Sequence, residues 1–207
     1  AFVAVMFITP DSLFIRLSNI DTWGLVFYRG MIPFITVFFV MLIIYKLDFF
    51  KILFNSGYHG IIYVATFSIT NITFVVSIQN TNVANTLVMI ATAPMLSAIL
   101  GAIFLKEPPD KKTLISIIVT FAAIVYIFFD SLKLGNFYGD ILGFITAIGL
   151  AVGAITIRSA KSKNLVPAAV VGKLFVATFA LFFIESFVLL EKDLIIVPLM
   201  CILCVAI

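Results

Sequence analysis

The sequence predicts an all-α polytopic membrane protein, a bundle of apolar helices that cross a bilayer several times. Of its 207 residues, 63% are hydrophobic and only 11% are charged, whereas a soluble domain carries about 25% charged residues. The 23 phenylalanines suit helix surfaces that face lipid better than one soluble core. The apolar runs are also about 20 residues long, too long for the strands of a membrane barrel.

Eight apolar runs bounded by polar clusters are candidate spans. The first covers residues 1–20 and is interrupted by the polar stretch TPDS at 9–12. The others lie at about 22–45, 58–80, 83–105, 113–130, 138–158, 166–185 and from 194 onward. Because the chain begins and ends inside apolar runs, AFVAVMFI and CILCVAI, we expect it to be a fragment of a longer protein.

The basic residues predict the orientation of the spans. Alternate loops contain eight of them, while the remaining loops contain two, Lys133 and Lys192. The eight are Lys46, Lys51, Lys106, Lys111, Lys112, Arg158, Lys161 and Lys163. Basic loops stay in the cytoplasm, so the chain starts inside and the turn between the first two spans lies outside. Since these cations form short clusters between apolar runs, we expect no nucleic-acid partner.

Residues 15–39 and 157–183 share a weak internal repeat. Both have Ile-Arg at the end of one helix, a polar turn, a cation beside glycine, and then an aromatic-rich run. The copies are five spans apart, so the two halves of the chain are predicted to be inverted repeats. The predicted repeats cover residues 1–132 and 137–207. The repeat aligns Arg29 with Lys173 and places one near each mouth of a path through the bundle.

Arg29 and Lys173 each lie about 10 Å inside a predicted span. An unpaired cation in hydrocarbon costs at least about 2.5 to 3.5 kcal/mol, so these residues either extend their head groups to the interface or have a function. Asp11 follows Pro10, where the first span is interrupted, and its carboxylate could pair with Arg29 or Arg16 or carry a proton.

Other polar residues in the spans suit either a cavity or contacts between helices. Asn71, Asn85 and Thr92 supply donors and acceptors for a polar solute, or hydrogen bonds worth under about 1 kcal/mol between helices. Pro10 and Pro94 interrupt helices and are candidate hinges. Glycine pairs such as Gly139 with Gly143 predict close helix packing. His59 and the Cys201/Cys204 pair lack the companion ligands of a metal site, so we expect no metal.

Three stretches resemble EamA-type transporters of the drug/metabolite transporter superfamily. They are TPDSLFIRLSNIDTWGLVFYRG, ANTLVMIATAPMLSAILGAIFLKEPPDKKTLISIIVTFAAIVYIFF, and GDILGFITAIGLAVGAITIRSAKS, which looks like the start of a second repeat. The most specific feature is the helix that contains Pro94 and ends in LKE. The resemblance implies ten helices in two inverted five-helix repeats with both termini in the cytoplasm. About seven and a half of those helices would be present here.

The resemblance also implies secondary transport of a small metabolite, amino acid or drug-like solute by alternating access, in the bacterial cytoplasmic membrane. Arg29 and Lys173 would orient an anionic group or gate the two mouths, and Asp11 would pair with a cation or carry a proton. Expected partners are the solute and the lipid bilayer. Protons as the coupling ion and a homodimer are further expectations, and no cofactor is expected.

Two alternative functions are an intramembrane enzyme and a seven-helix receptor-like protein. An intramembrane enzyme acting on lipid or isoprenoid substrates needs clustered carboxylates, histidines or an activated nucleophile, whereas the ten acidic residues are scattered and there is one histidine. A seven-helix receptor-like protein fits the number of spans, but the short loops and the inverted repeat argue against it. The G-x-x-x-x-G-K-[ST] motif does not occur, so this chain is not expected to hydrolyse nucleotides.

Overall fold

A computed structural model describes residues 11–18, 20–46, 48–134, 137–161, 163–184 and 193–201. Within these ranges the chain forms α-helices and one short π-helix, with no strand, which confirms the predicted class. The α-helices are α1 (Asp11–Leu17), α2 (Thr22–Tyr45), α3 (Asp48–Asn80), α4 (Val83–Ile90), α5 (Ala93–Leu100), α6 (Lys111–Leu134), α7 (Phe137–Ser159), α8 (Val166–Ala180) and α9 (Asp193–Met200). The π-helix, Gly101–Leu105, directly follows α5.

Four helical segments within the described residues are long and apolar enough to cross a membrane: Thr22–Tyr45, Asp48–Asn80, Val83–Leu105 and Phe137–Ser159. They match the second, third, fourth and sixth predicted spans. The fifth span is longer than predicted, because α6 continues to Leu134 and places Lys133 in a helix, not in a loop. The seventh is shorter, because α8 ends at Ala180.

Two breaks occur where the sequence contains helix-disrupting residues. At Gly57 the backbone of α3 leaves helical geometry, with φ 55° and ψ −137°, a region open mainly to glycine. The longer second part of α3 therefore begins at residue 58, where the third span was predicted. A turn at residues 91–92 separates α4 from α5, and Pro94 lies in the first turn of α5, where its missing N–H costs nothing.

The chain divides into two compact units, and the division falls inside α3. Unit 1 comprises residues 1–68 and 163–207, and unit 2 comprises residues 69–162. Each unit thus combines chain from both predicted repeats. The repeat boundaries at 1–132 and 137–207 stay a prediction.

In unit 1, α2 and α8 pack in antiparallel directions. Their contacts run in opposite order along the two helices and pair Trp23 with Phe183, Gly30 with Lys173, Met41 with Val170, and Tyr45 with Asn164. The tryptophan and phenylalanine rings stack with centroids 4.7 Å apart. At the other end, the Asn164 side-chain amide donates to the Tyr45 hydroxyl at 3.3 Å. The contact therefore extends along most of α8.

Two glycines allow α8 to pack closely against α2 and α3 in unit 1. A Cβ atom on Gly30 of α2 would lie 2.7 Å from the Ala177 nitrogen and 2.9 Å from the Lys173 carbonyl oxygen. A Cβ atom on Gly172 of α8 would lie 2.9 Å from the Phe67 ring of α3. Small residues allow such approaches between membrane helices. Helix α8 is thereby held against α2 on one side and α3 on another.

In unit 2, the glycine pair of α7 packs against α3 and α4, as predicted. A Cβ atom on Gly139 would lie 2.6 Å from the Thr81 Cβ. One on Gly143 would lie 3.1 Å from the Ser77 hydroxyl oxygen and 3.3 Å from the Met89 Cβ. Close packing of α7 therefore brings its first turn next to the polar residues at the end of α3.

The contact at Gly30 predicts the effect of adding one methyl group. In Gly30→Ala the new Cβ meets backbone atoms of α8 at distances that real Cβ atoms do not show, so the two helices must separate. Overpacking of this kind costs about 1 to 3 kcal/mol, more than the helix propensity gained by replacing glycine. We expect a lower free energy of unfolding, measured on the protein purified in detergent.

Gly101→Ala is the matched control. Its Cβ would meet the Ile155 side chain at 3.6 Å, an ordinary van der Waals distance, so stability should stay within about 0.5 kcal/mol of the parent. Equal stability of Gly30→Ala and the parent protein would show that α2 and α8 are not closely packed.

Candidate functional site

Arg29 forms an ion pair with Asp11 inside unit 1. The Nη1 group of Arg29 donates to Oδ1 of Asp11, and the two residues are 7% and 5% exposed. Asp11 therefore contacts Arg29, which was one of its two predicted partners. The pair explains how an apolar span tolerates an arginine, because a buried charge needs an opposite charge and hydrogen bonds in place of water.

Local structure positions both members of the pair. Asp21 caps α2, accepting hydrogen bonds from the backbone N–H groups of Trp23 at 3.1 Å and Gly24 at 3.4 Å. This cap fixes the start of α2, so Arg29 lies two turns into the helix. Asp11 is the first described residue of α1, which precedes α2 across a short connection. The carboxylate at the start of α1 thereby reaches the guanidinium of α2.

Lys173 lies beside the same pair. It is 6% exposed, its Nζ atom is 5.0 Å from the centroid of the Phe67 ring, and it interacts electrostatically with Arg29 and Asp11. A cation over an aromatic face is stabilised by the negative potential of the ring. Neither cationic head group lies at the protein surface, so extension to the interface does not explain these two residues.

The prediction that Arg29 and Lys173 occupy opposite mouths is wrong. Because α2 and α8 cross at Gly30, the residue next to Arg29 touches the backbone of Lys173. The prediction assumed a seventh span of about 20 residues with Lys173 near one end. Helix α8 has 15 residues, and Lys173 lies at its middle. The two cations and the carboxylate therefore form one cluster, which we call the Asp11–Arg29–Lys173 cluster.

Cys201 adjoins this cluster and was not predicted to matter. Its thiol is fully buried and donates to the backbone carbonyl of Tyr28 at 3.6 Å. Tyr28 directly precedes Arg29 in the sequence. It also interacts electrostatically with Lys173. Nothing in the sequence indicated this contact, because the cysteine pair lies inside an apolar run. Cys204 lies outside the described residues.

A second polar cluster lies in unit 2 around Asp140. This carboxylate is 0% exposed, and it accepts hydrogen bonds from the Thr81 hydroxyl at 2.5 Å and the Asn85 amide at 3.3 Å. Asn85 was predicted as a site residue, whereas Asp140 was not. The structure places Asp140 in the first turn of α7. The missed signal was a carboxylate directly before a long apolar run.

Hydroxyl groups continue from this cluster along α3. Thr73 and Ser77 are four residues apart and so lie on one face of α3, and Thr81 follows directly after the last residue of the helix. The Ser77 hydroxyl bonds to that of Thr86 at 2.8 Å and donates to the Gly139 carbonyl at 2.7 Å. The Thr73 hydroxyl bonds to that of Thr146, also at 2.8 Å. Two helices, α4 and α7, are thus joined to α3 by polar contacts.

The remaining predicted site residues lie in unit 2 or outside the described residues. Asn71 is half-buried on α3, two residues before Thr73. Thr92 is buried and its hydroxyl donates to the Met89 carbonyl at 2.6 Å, which stabilises the turn between α4 and α5. Pro94 lies directly after that turn. Pro10 lies outside the described residues.

The long apolar helices and the buried charged cluster define a polytopic helical membrane protein. The sequence model of the EamA-like transporter family matches residues 1–129, which is more than half of the chain. The chain belongs to this family, and it is therefore a membrane transporter of the drug/metabolite transporter superfamily. No curated protein and no solved structure matches the chain.

The electrostatics of the Asp11–Arg29–Lys173 cluster predict unequal effects of removing its members. Arg29→Met leaves Asp11 beside Lys173, an opposite charge. Asp11→Leu leaves Arg29 and Lys173 beside each other, two like charges in a buried site. Breaking a buried pair costs about 3 to 5 kcal/mol, so we expect both single variants to be less stable, with Asp11→Leu the worse. The double variant should recover part of the loss, measured as unfolding free energies in a double-mutant cycle.

The exposed pair of Asp48 and Lys51 is the control. Their side chains are 66% and 83% exposed and 3.0 Å apart, so removing either should cost under about 1 kcal/mol. If Arg29→Met were as well tolerated as Lys51→Met, the contact between Asp11 and Arg29 would contribute nothing to the fold.

Proposed function

We propose that the chain is a secondary transporter that moves a small solute with an anionic group across the bilayer by alternating access. The observation that carries the proposal is the Asp11–Arg29–Lys173 cluster, which gathers side chains from α1, α2 and α8. The formal charges of the three side chains sum to +1. Small metabolites and amino acids that carry a carboxylate, and metabolites that carry a phosphate, are the solutes this charge favours.

The cluster suits reversible binding because its internal pair can be exchanged. Arg29 presents several N–H donors in a planar fork that matches a carboxylate or phosphate, and Asp11 occupies that fork when no solute is bound. Lys173, held over Phe67, offers a second cation. A solute anion would replace Asp11 on Arg29 and add an interaction with Lys173. On release, Asp11 would restore the buried pair, so neither state leaves the guanidinium uncompensated.

The helix break before Pro94 supports a conformational change in the same cycle. The turn at residues 91–92 divides an otherwise continuous span, and a π-helix follows at Gly101–Leu105. Breaks of this kind concentrate backbone rotation in a few residues, which is how hinges work. We propose Pro94, and Pro10 in the first span, as hinge positions.

The role of the cations predicts weaker transport when either is neutralised. Proteoliposomes containing the full-length protein would be tested with a panel of radiolabelled amino acids and small carboxylates. We expect Arg29→Gln and Lys173→Gln to lower the kcat/KM of a transported anionic solute by about tenfold or more, equivalent to about 1.4 kcal/mol each. Lys51→Gln, which removes an exposed cation, is the matched control and should transport at the parental rate.

Parental uptake by both neutralised variants, with normal insertion in the membrane, would remove the cluster from the binding site. A wild-type protein that transports only uncharged or cationic members of the panel would contradict the proposed substrate class.

We expect Asp11→Asn to change the transport kinetics in a different way from neutralising Arg29 or Lys173. The amide no longer competes with the solute anion for Arg29, so the anion should bind more tightly and KM should fall. Release should slow because the neutral amide cannot take the place of the departing anion, so kcat should fall as well. Measuring KM and kcat separately tests this, since a purely structural defect would lower the amount of active protein and leave KM unchanged.

A further inference from the structure

Helix α3 is longer than a bilayer requires, and the break at Gly57 divides it into two parts. Its 33 residues correspond to about 50 Å, whereas the hydrocarbon core of a bilayer is about 30 Å thick. Residues 58–80 alone extend about 35 Å, which is enough to cross that core. Residues 48–56, which precede the break and which we call the 48–56 segment, are therefore not needed to span the membrane.

One face of the 48–56 segment packs against α2 and α8. Phe49 is 2% exposed and belongs to an apolar cluster with Met41 of α2 and Val170 of α8. Ser56, two helical turns after Phe49, is also buried. This face of the segment is therefore held against the protein.

The opposite side of the segment is exposed and has an apolar strip beside a polar one. Phe50 and Phe54, one helical turn apart, are 47% and 80% exposed. Lys51 and Asn55 are also one turn apart, and they form the neighbouring strip of exposed side chains. A helix surface that is apolar on one flank and polar on the other is typical of a helix that lies in the interface between lipid and water.

Two exposed lysines lie at the two ends of the segment. Lys46 is the C-cap of α2, two residues before the segment begins. The Lys163 ammonium donates to the Ser56 backbone carbonyl at 3.5 Å, at the other end. Lys51 forms an ion pair with Asp48 at 3.0 Å, so its charge is offset within the segment. The excess positive charge therefore belongs to the two lysines at the ends.

We propose that the 48–56 segment lies in the membrane interface with Phe50 and Phe54 inserted between lipids, and that Lys46 and Lys163 bind the headgroups of anionic phospholipids. Both lysines are on the side predicted to be cytoplasmic, where the leaflet carries anionic lipids. The negative surface attracts basic residues beside it, and the inserted aromatic rings hold the segment at the depth of the headgroup phosphates. Lipid binding of this kind does not require solute transport.

The positive-inside rule alone does not account for this arrangement. The rule explains basic residues in loops on one side of a membrane, but it requires neither an exposed apolar strip nor a helix break beside them. Lys111 and Lys112 are exposed on the same predicted side, yet they begin α6 directly, and residues 106–110 before them are not helical. They provide a comparison in which charge acts without an adjoining helical segment.

Lipid binding is measured by native mass spectrometry of the full-length protein with phosphatidylglycerol and with phosphatidylcholine. We expect the wild type to retain phosphatidylglycerol preferentially. Lys46→Gln/Lys163→Gln should bind it about tenfold or more weakly, since one lysine near an anionic surface contributes about fivefold. Lys111→Gln/Lys112→Gln removes the same charge and should bind as the wild type does. Equal losses in the two double variants, or no preference in the wild type, would overturn the proposal.

The depth of the segment is tested separately, with spin labels on Phe54→Cys and Asn55→Cys in proteoliposomes and the labelled wild type as the control for native cysteines. We expect oxygen, which concentrates in lipid, to relax the label at 54 more strongly, and a water-soluble nickel complex to relax the label at 55 more strongly. Access of the nickel complex to both labels would place the segment in water. Protection of both labels from both reagents would indicate a protein partner on this face. Either result would overturn the proposal, whether or not the lysine variants fold.

Discussion

Burial of charge away from water is the constraint on which this structure depends. Within the described part of the chain, Arg29 and Lys173 lie in the interior of unit 1, and each head group lies near a group that stabilises a cation: the carboxylate of Asp11 and the ring of Phe67. The close approach of α2 to α8 at Gly30 brings the two cations to one crossing, where their repulsion is offset by Asp11. Helix packing thus determines where the charges lie, and the charges require that packing to remain intact.

Among the buried carboxylates of the described residues, Asp11 and Asp140 differ in the groups that they contact. Both are almost fully buried; Asp11 accepts from the Arg29 guanidinium, and Asp140 accepts from the Thr81 hydroxyl and the Asn85 amide. The first is suited to hold a binding site for anions and to yield its place to a solute.

Much of the fold could be predicted from the sequence because hydropathy reports helices directly. The start of α2, the restart of α3 after Gly57 and the break before Pro94 follow from capping, glycine and proline chemistry. The pairing of Asp11 with Arg29 was one of two options, since spacing alone does not tell Arg29 from Arg16. The position of Lys173 was wrong because apolar residues after Ala180 hide the end of α8. Asp140 was missed because a carboxylate at the edge of an apolar run looks the same whether it faces water or the interior.

The central claim is that an anionic solute binds where Asp11 now occupies Arg29. An experimentally determined structure of the full-length protein with a transported anionic solute tests it most directly. The account predicts the anionic group of the solute within hydrogen-bond distance of the Arg29 guanidinium and the Lys173 ammonium, with Asp11 displaced from Arg29. A solute bound elsewhere, with Arg29 still paired to Asp11 and Lys173 still over Phe67, would contradict it.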